Sequence, residues 1–108
     1  MNIENKVNQY KKLNSYISHN QNSLSDEELI NLNRQLGELN QVILSGLKKV
    51  RSDIQEEIDY DQKFLNSLDP SDEWESRKIE EYENSIYERN KDICFLDDRI
   101  RSWGRGVR

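Results

Sequence analysis

Apolar residues along this chain recur at helical spacing almost from end to end. Between positions 79 and 103, isoleucine returns every seven residues, at Ile79, Ile86, Ile93 and Ile100. Three residues after each stand Tyr82, Arg89, Leu96 and Trp103. With the isoleucines as a and the second set as d, the stretch reads as nearly four heptads of a helix made to lie along another helix.

Upstream, Leu29, Leu32, Leu36, Leu39, Ile43, Leu47, Val50, Ile54, Ile58, Leu65 and Leu68 trace one stripe. It predicts a helix of about 43 residues, roughly 64 Å long at the helical rise. Leu36, Leu47 and Ile58 are eleven apart, so the stripe straightens in its middle. The start is marked by Ser25 and Glu28, a capping box, with Leu24 and Leu29 at the staple positions. Gly46 falls inside this helix. It reads as a place for close approach by a neighbouring helix, with a break near Ser45–Gly46 as the other reading. Ile3, Val7, Tyr10, Leu13 and Ile17 share a face of a first helix, from about Ile3 to about Ile17, which polar residues His19 to Ser23 end.

Leu68, Asp69, Pro70, Ser71 and Asp72 form the sharpest stop, with Asp69 expected as N-cap and Pro70 at the first helical position. A connection this short makes the flanking helices antiparallel. A turn centred on residue 69 puts Ile79 level with Ile58–Tyr60, Leu96 with Ile43 and Trp103 with Leu36. Arg89, the polar d residue, is expected either to reach a carboxylate on the second helix, with Asp53 as the candidate, or to mark the register or orientation of the pairing. The first helix then lies along the first half of the second and covers Cys94 and Phe95. The expected fold is all-α: a long antiparallel helical hairpin (coiled coil) with a shorter N-terminal helix packed on one end, giving a three-helix bundle there. Residues 1–108 read as one domain, with 104–108 a mobile basic tail.

Composition narrows the function classes. Apolar residues are 33% of the chain and charged residues 34%, so each helix has only a narrow stripe to bury. One cysteine, Cys94, and one histidine, His19, leave no disulfide within the chain and no Cys- or His-rich metal site. No phosphate-binding loop, nucleophile motif or ligand set is legible, so no enzyme, cofactor or metal is expected. No signal core or long apolar run appears, and the expected setting is the cytoplasm, away from membranes. Richness in Asn, Ile, Lys and acidic residues suggests an AT-rich coding sequence, as in low-GC bacteria and their phages.

Charge is uneven. Residues 52–98 hold sixteen acids and five bases, whereas 99–108 hold four arginines and no acid. Two readings follow. In the first, the chain is a small acidic inhibitor or regulator of phage or mobile-element type, binding a partner protein that handles nucleic acid. Its candidate partner-binding residues are Glu80, Glu81, Glu83, Tyr87, Glu88, Asp97 and Asp98. Arg101, Trp103, Arg105 and Arg108 are candidate tail contacts, although direct nucleic-acid binding is not expected. In the alternative, the chain is a structural or adaptor coiled-coil subunit that acts by homo-oligomerisation. A homodimer is expected because the turn end exposes aromatic residues, among them Tyr60, Phe64 and Tyr87.

Overall fold

A computed structural model describes residues 2–105. They form three α-helices and no strand: α1 (Ile3–Asn20), α2 (Asp26–Asn66) and α3 (Glu73–Gly104). Asn2 caps α1, its side-chain oxygen accepting the Asn5 N–H at 3.3 Å. The capping box opens α2: Ser25 Oγ accepts the Glu28 N–H at 3.2 Å, and Glu28 Oε1 accepts the Ser25 N–H at 3.4 Å. Two orphan donors are thereby satisfied where Asp26, Glu27 and Glu28 also face the positive end of the helix dipole.

The start of α3 differs from the expectation. Asp72, not Asp69, is the cap: its Oδ1 accepts the N–H groups of Trp74 at 2.9 Å and Glu75 at 3.1 Å. Asp69 is held instead in a local turn, accepting from the Ser71 hydroxyl at 2.7 Å and the Ser71 N–H at 2.9 Å. Pro70 therefore lies in the connection. On the other side, the Ser67 hydroxyl donates to the Phe64 carbonyl at 2.6 Å and closes the last turn of α2.

The described chain forms two compact units. One comprises residues 2–48 with 100–105, the other Lys49–Arg99. In the first, α1, the leading part of α2 and the last turn of α3 make a three-helix bundle. Its core is Val7, Tyr10, Leu36, Ile43, Leu47 and Trp103, with Ile43 and Leu47 fully buried. Each such aliphatic side chain contributes about 1.5–3 kcal/mol by leaving water. The Trp103 and Tyr10 rings meet edge to face, centroids 4.9 Å apart. Trp103 is thus a core residue and not part of an exposed tail. Residues 106–108, including Arg108, lie outside the described residues. Gly46 is buried and α2 passes through it without a break.

In the second unit, the rest of α2 and most of α3 pair as a bare antiparallel hairpin. Ile58, Ile93 and Leu96 are its buried apolar residues, and Asp61 is buried among them. The register departs from a turn centred on residue 69, which would set Tyr82 level with Glu56 and Arg89 with Lys49. Tyr82 instead packs on Phe64, centroids 5.0 Å apart, and Arg89 pairs with Asp61 and Glu57. These contacts lie about eight to twelve residues further along α2 than that register gives, part of which is the reach of long side chains that lean toward their own helix N-termini. Trp74 in the first turn of α3 is 63% exposed. Cys94 and Phe95 belong to this unit and are exposed, so α1 does not cover them.

Gly37 lies in the first third of α2, exposed, with open space where a Cβ would stand. Its backbone freedom is lost on folding with no packing in return. Gly37→Ala should therefore raise stability by about 0.5–1 kcal/mol, read as a higher urea midpoint with an unchanged slope.

Candidate docking surface of the second unit

Two clasps hold the edges of the hairpin. On one edge Arg51 donates to both oxygens of Asp97, with Nη2 at 3.4 Å from Oδ2. The hydrogen bond to Asp97, with the attraction between the charges, raises the Arg51 guanidinium above its ordinary value. On the other edge Arg89 reaches across from α3 to Asp61, with Glu57 3.4 Å from its Nε. Asp61 stands in the α2 stripe between Ile58 and Leu65, where the apolar spacing lapses. Arg89 is the polar gap in the facing α3 seam. The two interruptions meet, and each supplies what burial of the other requires.

Asp97 was expected among the partner-binding residues; the clasp with Arg51 leaves it partly buried and occupied. The remaining carboxylates of that set lie off the seam. Glu81 pairs with Lys78 at 3.1 Å and Glu88 with Lys91 at 3.4 Å, both within α3 and exposed. Such pairs contribute little to stability and yield readily to a competing cation. Glu80 and Glu83 are exposed, with no ion pair among the described residues, and Asp98 is exposed as well. At 100° per residue, Glu80, Glu83, Tyr87 and Asp98 share one flank of α3, while Glu81 and Glu88 lie toward the other. Among the tail residues, Arg101 and Arg105 are exposed at the C-terminal end of α3, where cations suit the helix dipole.

Spacing along α3 contains a further pattern that the seam hides. Each exposed aromatic is followed four residues later by a base that lies over its ring. Lys78 is 5.6 Å from the Trp74 centroid, Lys91 is 4.6 Å from Tyr87, and Arg99 is 5.7 Å from Phe95. These are one-turn neighbours, so the sequence spacing alone carries the signal.

Between α2 and α3, on the Arg89 edge, runs an open notch lined by Asp53, Glu56, Glu57, Tyr60, Asp61 and Arg89. Asp53, the expected partner of Arg89, lies on its rim and pairs with Lys49 at 3.2 Å. Tyr60 is 72% exposed above it. No three or more His, Cys, Asp or Glu among the described residues are placed to hold a metal ion. No helix among them is long and apolar enough to cross a membrane. The chain matches no protein-family model, no curated protein and no solved structure.

Two predictions follow from this geometry. The side chains of Arg89 and Asp61 are 32% and 12% exposed. Arg89→Ala leaves Asp61 buried and unpaired, and should cost about 2 kcal/mol, less than the ~3–5 kcal/mol of a fully buried pair because solvent reaches the guanidinium. The double change Asp61→Leu with Arg89→Leu should recover most of that loss, and a double-mutant cycle in urea should show a coupling above about 1 kcal/mol.

The Ser71 hydroxyl, with the Ser71 N–H, holds the Asp69 carboxyl below the usual carboxylate range. A carboxyl lowered by folding stabilises the folded chain above its unfolded value, and that contribution is lost as pH falls through the folded value. Ser71→Ala should lower the melting temperature at neutral pH. The difference from the parent chain should shrink as acid protonates Asp69, a trend that a series of thermal melts from neutral to acid pH measures.

Proposed function

We propose that the chain is a non-enzymatic protein-binding module, a small acidic inhibitor or regulator of the phage or mobile-element kind. It docks the hairpin of its second unit on the basic surface of a protein that handles nucleic acid. The observation that carries this reading is exposed aromatics amid a carboxylate excess. Tyr87 is 61% exposed on the same flank of α3 as Glu80 and Glu83. A basic surface meets charge there and an apolar ring in one contact, the combination found at binding hot spots. Charge alone gives only partial mimicry. Spread over the roughly 43 Å of the α3 leg, the net charge of residues 52–98 comes to about one per 4 Å, against one per about 1.7 Å of duplex DNA. The aromatic contacts supply the rest.

A second reading, the homo-oligomeric adaptor, draws on the first unit, where Ile30 is 60% and Tyr16 51% exposed. Sedimentation over a wide concentration range tests it: a monomer throughout removes it.

For the first reading, nucleic-acid-binding proteins of the native cells are loaded on DNA-cellulose and challenged with the purified chain. The parent chain should release a specific protein into the eluate, less so as salt rises, because exposed charges are screened within about 8–10 Å at physiological ionic strength. The triple variant Glu80→Lys, Glu81→Lys, Glu88→Lys should keep its helical circular dichroism and release none. Equal release by parent and variant would remove the acidic-docking reading.

A further inference from the structure

We propose that the groove on the Arg89 edge of the hairpin is the seat for one basic amphipathic helix of the partner protein, which completes a three-helix bundle in the second unit. The proposal rests on the protein-binding reading and specifies the partner element. Val50, Asp53, Glu57, Tyr60 and Phe64 are spaced three, four, three and four along α2, a second heptad seam beside the one that packs on α3. In the hairpin this second seam is open: all five are exposed, Val50 at 38%, Phe64 at 40% and Tyr60 at 72%. The Phe64–Tyr82 contact and the Arg89–Glu57 pair put its floor where the two helices meet. From Val50 to Phe64 it runs about 21 Å, or four turns of a bound helix. In the first unit α1 occupies the place of a third helix; in the second no described segment does.

Chemistry of the walls selects among occupants. Asp53, Glu56 and Glu57 line the notch beside Tyr60, so a helix with an apolar stripe flanked by lysine or arginine is matched on both counts. A second copy seated groove to groove would set these carboxylates against their own equivalents, which like-charge repulsion disfavours. A nucleic-acid backbone meets the same repulsion.

The test uses the full chain and two 18-residue peptides of leucine and lysine with identical composition. One places leucines at three–four spacing; the other has them scrambled. Calorimetric titration should give one site per chain, with the amphipathic peptide at least tenfold tighter and gaining helical circular dichroism on binding. The variant Asp53→Lys, Glu56→Lys, Tyr60→Ser should weaken binding tenfold or more. Tyr60→Ser alone, which alters one exposed side chain, should weaken it severalfold. Glu80→Lys with Glu83→Lys, a double reversal on the opposite flank of α3, should change it less than threefold. Equal affinity for the two peptides, or equal loss from both reversals, would show charge attraction without a groove and overturn the proposal. So would a chain that dimerises with an affinity sensitive to the groove variant, since the occupant is then a second copy, or an oligonucleotide that binds the chain itself, without peptide, with an affinity the groove variant changes. Failure here while the DNA-cellulose release persists and is lost in the Glu80, Glu81, Glu88 variant leaves the docking reading intact on α3; loss of both removes the docking reading too.

Discussion

Arg89 and Asp61 fix how the hairpin of the second unit is put together. Leucine and isoleucine stripes are tolerant of sliding, because one apolar side chain replaces another at small cost. A buried carboxylate is not tolerant: shifted by one heptad, Asp61 would sit against Tyr82 or Leu96 with its charge uncompensated. The pair adds little net stability relative to an apolar pair of similar volume, and its effect is on the alternatives. On the other edge Arg51 meets Asp97 in a closely similar register, so the two clasps agree on one pairing of the helices.

The helices were legible because each rests on local chemistry. The 3–4 spacing, the Ser25–Glu28 box and the stop at 69–72 act within a few residues of one another. Register was not legible from turn length, since the Asp69–Ser71 turn and the Asp72 cap divide the connection asymmetrically. Two aspartates three apart both have cap chemistry, and their hydrogen bonds with Ser71 and Trp74 decide between them. Yet the sequence did hold a register signal. Each stripe has one polar lapse, at Asp61 and at Arg89, and setting lapse against lapse gives the observed pairing. Arg89 alone names no partner among the many carboxylates of α2; only the lapse at Asp61, between Ile58 and Leu65, singles one out.

The docking surface was legible only in part. Acidic excess and off-seam aromatics are visible in composition and spacing, whereas their engagement is set by what each helix can reach. Asp97 was drawn from the outer set by Arg51 across the hairpin. Glu81 and Glu88 were tied by lysines on their own helix. Trp103 has the seam spacing and packs accordingly, so its place beside the arginines in sequence says nothing about its surroundings in space. The open seam on α2 was hidden because two of its five positions are acidic, and an apolar count discards them.

The two tryptophans have a consequence for observation. Trp103 lies in the core of the first unit against Tyr10, and Trp74 stands in solvent on the second. Each unit thus contains one native fluorophore, and the two differ in polarity of surroundings. Replacing either by phenylalanine leaves a single-tryptophan chain whose emission reports one unit alone. Because α2 and α3 run through both units, such a pair of chains would show whether melting passes along a continuous helix or halts where the bundle gives way to the hairpin.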